Sequence, residues 1–142
     1  MKGQNPIILI PARLASTRLP NKPLAQICGL PMIVQVLKRA QEADCGRVVV
    51  AAAEAEIADA VESAGGEAIL TDPDLPSGSD RIHAALQAVD ADGRHDAIIN
   101  LQGDLPTLEP HLVKACLAGL AGADMSTLVA EITNEAERDN PN

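Results

Sequence analysis

Short apolar runs alternate with helical patterns along nearly all of this chain, and that alternation restricts the fold more than any other feature. Ile7-Ile8-Leu9-Ile10 begins the series as a strand. Arg47–Ala51, Glu67–Leu70, Ala97–Leu101 and Met125–Ala130 follow as further strand candidates. Between them the spacing of apolar residues predicts helices over about Met32–Ala43, Glu54–Ala64, Ser79–Val89 and Pro110–Leu120. Pro31 suits a first helical position, and Gly46 and Gly65-Gly66 suit the stops. Several strands are apolar throughout rather than alternating, as expected of parallel strands covered on both faces. The pattern β-α-β-α-β-α-β-α-β therefore predicts an α/β fold, a mainly parallel sheet with flanking helices and right-handed crossovers. The usual Rossmann-like strand order is 3-2-1-4, with the fifth strand near an edge. In that order the first and fourth strands are neighbours, and their carboxyl-end loops face one crevice, where ligands of open α/β sheets bind.

Composition narrows the function. The 142 residues carry 46% apolar side chains, enough for one domain with a core. A net charge of −9 argues against a nucleic-acid footprint, which needs a basic face. No apolar run approaches the ~20 residues needed to span a bilayer, and no signal peptide is visible. Cys28, Cys45 and Cys116 are widely separated with no metal-ligand spacing, so they read as free thiols of a reducing, cytoplasmic compartment. Phe, Tyr and Trp are absent, which leaves Ile, Leu, Val and Ala to build the core and excludes, within this chain, an aromatic sandwich for a base or sugar ring. Such an absence is unusual in a globular enzyme of this length and suggests a portion of a larger protein.

Against this acidic background, the loop after the first strand stands out. Arg13, Arg18 and Lys22 fall within ten residues containing no acid, and Pro11, Pro20 and Pro23 limit the loop's freedom. Arginine offers a planar fork to phosphate oxygens and lysine a mobile point charge. The plain alternative is a solvated basic loop; its place after the first strand favours a phosphate cradle. It is not a Walker A loop, because no Gly-x4-Gly-Lys-Ser/Thr is present. At the end of the fourth strand, Gln102-Gly103-Asp104 would face this loop. Asp104 could hold Mg²⁺, which takes few protein ligands and completes its shell with phosphate oxygens and water. Gln102 could bond a sugar hydroxyl or base edge, and Gly103 permits close backbone approach. Ser77-Gly78-Ser79-Asp80-Arg81 reads equally as an ordinary serine N-cap with an acid in the first turn and as a lip for a nucleotide. His83, His95 and His111 are dispersed, without a Ser or Cys partner, and give no support to nucleophilic catalysis.

Together these segments resemble the 3-deoxy-D-manno-octulosonate (KDO) cytidylyltransferases. Ile10-Pro11-Ala12-Arg13, Ser16-Thr17-Arg18-Leu19-Pro20 and Lys22-Pro23-Leu24 are similar to the opening motif of that family. Gly29-Leu30-Pro31-Met32-Ile33, Ser77–Arg81, Gln102-Gly103-Asp104 and Asn140-Pro141-Asn142 follow in the family's order. The resemblance implies a Rossmann-like nucleotidyltransferase that uses CTP and Mg²⁺ to make CMP-KDO and pyrophosphate for the lipopolysaccharide inner core. It implies that Arg13 and Lys22 bind the triphosphate, that Ala12, Ser77 and Gln102 surround the cytidine, and that Asp104 binds the metal. Arg18 and Gly78 join the nucleotide-binding set, and Arg13, Lys22 and Asp104 form the catalytic set. The resemblance further implies KDO as second substrate and a homodimer for the complete enzyme, with no nucleic-acid or membrane partner. Family members run on for roughly another hundred residues, so residues 1–142 are expected to be an N-terminal, CTP-binding portion. Alternatives are a sialate-like or amino-KDO acceptor, or a CTP-binding module without turnover. The chain departs from the family at Ala52-Ala53, where Thr-Asp is frequent, and at Leu105, where an acid is frequent.

Overall fold

A computed structural model describes residues 3–15, 18–131 and 133–139. Along the chain run β1 (Pro6–Ala12), a 3₁₀ turn (Lys22–Leu24), β2 (Gln26–Ile27), β3 (Leu30–Pro31), α1 (Met32–Ala43) and β4 (Arg47–Ala52). They are followed by α2 (Ala55–Ser63), β5 (Ala68–Leu70), α3 (Gly78–Val89), β6 (Ala97–Asn100), α4 (His111–Ala118) and α5 (Glu135–Arg138). The main sheet has the order β5-β4-β1-β6, and every pair in it is parallel. When the small antiparallel hairpin β2-β3 is set aside, this is the expected 3-2-1-4 order.

The unbroken apolar character of β1 has a direct cause in the packing. Successive strand side chains point to opposite faces. Ile8, Ile10 and Ala12 enter a core with Ile33, Val36 and Leu37 of α1, Ile57 and Val61 of α2, and Val113 of α4. Ile7 and Leu9 point the other way, into a cluster with Ile82 and Ala85 of α3. Val49 and Ala51 share the α3 face, while Val50 and Ala52 share the other. Burying each large aliphatic side chain is worth about 1.5–3 kcal/mol, so a polar residue is excluded from either face of β1. On α1, Ile33, Val36, Leu37 and Ala40 recur at helical spacing and are fully buried or nearly so.

Three expectations need correction. Residues 125–130 form no strand; Met125 is 84% exposed and Val129 90% exposed. Apolar content there mimicked a strand, but among the described residues no ladder partner lies beside it, and an unpaired strand leaves its backbone groups to water. Pro31 is the N-cap residue of α1 rather than its first helical residue, because it also closes β3. Gly46 does not stop α1. Asp44 does so, in the left-handed region at φ 50° that Asp tolerates better than most residues. Gly46 is instead pressed against β1, where an added Cβ would lie 2.2 Å from the Pro6 carbonyl oxygen.

Candidate functional site

The carboxyl ends of β1 and β6 open onto one cleft of about 330 Å³. Its position follows from where the ladder stops. Ala12 accepts from the Ala53 N–H on the β4 side at 2.9 Å, so Pro11, one residue before, turns its donorless nitrogen toward β6. There β6 pairs with β1 as far as Leu9↔Asn100 and then diverges. Gly103 passes so close to β1 that a Cβ on it would lie 2.8 Å from the Pro11 carbonyl oxygen. This approach delivers Asp104 to the basic loop: Lys22 Nζ lies 3.5 Å from Asp104 Oδ2, both side chains being about half exposed.

The basic loop is pinned rather than loose. Glu54, the N-cap residue of α2, accepts the Leu14 N–H at 3.0 Å, and Leu14 packs against the core. Asn21 donates its N–H to the Leu14 carbonyl at 3.1 Å and sits in the left-handed region at φ 60°. Pro23 is buried in the 3₁₀ turn, which fixes the base of the Lys22 side chain.

Seven of the expected residues share this cleft: Ala12, Arg13, Lys22, Ser77, Gly78, Gln102 and Asp104. Arg18 lies apart from them. It lines a wider adjoining groove that shares Arg13, Lys22 and Asp104 with the cleft. Ser16, Thr17 and the motif Asn140-Pro141-Asn142 fall outside the described residues. Ser77 combines both of its readings: its Oγ accepts the Asp80 N–H at 3.1 Å as an N-cap of α3, and the residue also lines the cleft. Gln102 is held at its Nε2 by Asn100 Oδ1 at 2.9 Å. His95 bonds the Asn5 carbonyl and His111 lies near Glu109, both away from the cleft lining.

Arg81 joins the cleft beyond the residues expected from the sequence. It is the buried charged residue of the described structure, 2% exposed, and it lines the cleft. Its Nη1 donates to Thr71 Oγ1 at 2.6 Å and to the Asp72 carbonyl at 2.9 Å, and its Nη2 reaches the Pro73 carbonyl at 3.5 Å. Burial pulls its pKa below the usual guanidinium value; the nearby Arg13 adds to that, and Glu54 and Asp72 oppose it. An arginine in a helix is ordinarily exposed, so burial was not legible from the residue type. Its presence in the Ser77–Arg81 segment was the available signal.

Chemically, the arrangement sets Arg13, Lys22 and Arg81 around a cleft whose lining carries one carboxylate, Asp104. Among the described residues no cluster of three or more His, Cys, Asp or Glu could hold a metal by itself. A lone carboxylate does fit a Mg²⁺ whose remaining ligands are phosphate oxygens and water.

Comparison with known proteins agrees with this geometry. The family described as cytidylyltransferase matches residues 7–142. A 3-deoxy-manno-octulosonate cytidylyltransferase of Parvibaculum lavamentivorans is 66% identical over 140 residues, which is 97% of this chain and 54% of that protein. One from Rhodospirillum centenum is 61% identical over 141 residues, 98% of this chain and 55% of that protein. Among solved structures, a CMP:2-keto-3-deoxy-manno-octonic acid synthetase complexed with CTP superposes with a TM-score of 0.77 at 40% identity, covering 84% of this chain and 48% of that one. The chain thus spans about half the length of the curated relatives it matches.

Proposed function

Since the chain belongs to the cytidylyltransferase family, we propose that its cleft binds CTP for transfer of a cytidylyl group to KDO, giving CMP-KDO and pyrophosphate. The observation that carries this reading is the convergence of Arg13, Lys22 and Asp104 on one cleft at the β1–β6 switch point. Residues 1–142 are the nucleotide-binding portion in this proposal, and the acceptor sugar's contacts are assigned elsewhere in the longer protein.

The reaction joins a sugar hydroxyl oxygen to the α-phosphorus of CTP and breaks the bond from that phosphorus to the pyrophosphate oxygen, with loss of the hydroxyl proton. Positioning and charge neutralisation are the terms this chain supplies. Arg13 and Lys22 hold the triphosphate and stabilise the charge that builds on the departing pyrophosphate. Arg18 extends the same cationic surface into the adjoining groove. Ala12, Ser77, Gly78 and Gln102 surround the cytidine, with Ala12 and Gly78 leaving room and Ser77 and Gln102 offering polar atoms. Asp104 would hold Mg²⁺, which when bound supplies charge neutralisation at phosphate oxygens.

The product class belongs to lipopolysaccharide inner-core synthesis, and we place the reaction in the cytoplasm and on a homodimer. No helix among the described residues is long and apolar enough to cross a membrane. Pyrophosphate release by the full-length protein, with CTP, Mg²⁺ and KDO, tests the proposal. Sialate-like and amino-KDO acids in parallel assays identify the acceptor. Absence of sugar-dependent release, or unchanged release by Arg13→Ala, would overturn it.

A further inference from the structure

We propose that Arg81 is a positioning residue that makes the cleft selective for a pyrimidine nucleotide, by bracing the 71–78 wall at a fixed separation from β1. This inference rests on the reading of the cleft as a CTP site. The end of β1 contributes Pro11 and Ala12 to the lining of the cleft, and the 71–78 wall contributes Leu75, Ser77 and Gly78. These 142 residues hold no aromatic side chain, so they offer the base no ring to stack on. Selection by shape then requires that the separation of the walls be held.

Arg81 is built to hold it. From the second turn of α3 its guanidinium ties together the Thr71 hydroxyl and the carbonyls of Asp72 and Pro73. Thr71 in turn donates its Oγ1 to the Ala52 carbonyl at the end of β4, at 3.1 Å. The Thr71 N–H bonds the same carbonyl at 2.8 Å. The loop between β5 and α3 is thereby fastened at once to the sheet and to the helix. Lysine cannot reproduce this, because it lacks the planar fork that meets several acceptors in fixed geometry.

Stability alone does not account for the residue. Arg81 forms no ion pair among the described residues, and the like-charged Arg13, which also lines the cleft, acts on it unfavourably. Taking a charge out of water costs the fold unless the charge is paired as well as hydrogen-bonded. Retaining a buried cation here is expensive for the fold and useful for the cleft. Of its five N–H donors, the three bonds above engage three, so part of the guanidinium of this cleft-lining residue has no acceptor from the described residues.

The test measures binding to the full-length protein in Mg²⁺, with CTP, UTP, ATP and inorganic tripolyphosphate as probes. Arg81→Lys keeps the charge and loses the brace. Its preference for CTP over ATP should fall about tenfold, while tripolyphosphate affinity changes less than about twofold. Thr71→Val removes at nearly constant shape the hydroxyl that accepts from Arg81 and donates to the Ala52 carbonyl, and should shift the same preference about threefold, so the inference stays testable if Arg81→Lys folds poorly. Unchanged CTP/ATP preference in both variants would overturn it. A parallel loss for all four probes would also overturn it, by assigning Arg81 to folding or to charge alone. If the unaltered protein binds neither nucleotides nor tripolyphosphate, the CTP reading itself fails, and that result is distinct from the other two.

Discussion

Replacing Gly103 with alanine probes the one backbone approach on which the cleft depends. A Cβ at this position would lie 2.8 Å from the Pro11 carbonyl oxygen, with Ile33 Cδ1 at 3.5 Å and Ile10 Cγ2 at 3.6 Å. The two methyl contacts are ordinary; the carbonyl contact is not. About 0.6 Å must open before it reaches normal van der Waals distance at 3.4 Å. The oxygen belongs to the backbone of β1 at Pro11, which is half-buried and held in register with Ala51 of β4, so the strain falls on the 101–104 turn. Overpacking of this kind costs about 1–3 kcal/mol. At about 2–4 °C per kcal/mol for a domain of this size or somewhat larger, the melting temperature should fall by about 2–12 °C. The function should suffer more than the fold. Asp104 follows directly in the turn and moves with it, and a displacement approaching 1 Å near reacting groups costs on the order of 10²-fold in rate. We expect pyrophosphate release to fall at least about tenfold under conditions where calorimetry shows the variant folded. A variant with the original melting temperature and the original turnover would refute the argument that Gly103 sets the separation between β1 and the Asp104 turn.

Arg13→Ala and Lys22→Ala should each weaken CTP binding by about 1.5–3 kcal/mol in calorimetric titration, with Lys22, which is half exposed, at the lower end. Asp104→Asn keeps the shape and removes the charge; turnover should collapse, and its Mg²⁺ dependence with it, while thermal unfolding stays near that of the unaltered protein. Gly46→Ala places a Cβ 2.2 Å from the Pro6 carbonyl oxygen and should destabilise the fold by about 1–3 kcal/mol in denaturant unfolding without any selective effect on nucleotide affinity. Asp96 accepts the backbone N–H groups of Asn5 and Gln4, each at 2.9 Å, and these bonds hold its pKa below the usual carboxylate value. A depressed carboxylate stabilises the fold above the unfolded value of about 3.9 and loses that contribution as pH falls through its lower folded value. Asp96→Asn should therefore melt below the unaltered protein at neutral pH, and the gap should close below about pH 4.

Much of this protein could be read from local pattern. Helical spacing in residues 32–43 marked α1 at its observed bounds, because seven of its residues are buried and the other five are polar and half-buried or exposed. The apolar runs marked β1, β4, β5 and β6 to within a residue or two, and β1 and the interior of β4 are apolar throughout because both of their faces are covered. The usual Rossmann-like order 3-2-1-4 is the order observed, and it places the basic loop opposite Asp104. Only the tertiary structure decided matters that depend on which surfaces meet. Residues 125–130 have a strand's composition but no strand beside them, and composition does not supply a hydrogen-bonding partner. Gly46 looked like a helix stop, yet the approach of β1 is what requires it, and Asp44 took the left-handed cap. Arg81 has the residue type of an exposed helical cation, and it is buried because the β5–α3 loop folds its carbonyls back over the helix. Periodicity is a property of one element and survives in the sequence; burial of a charge or a close backbone contact belongs to two elements at once, and exists only after both have packed.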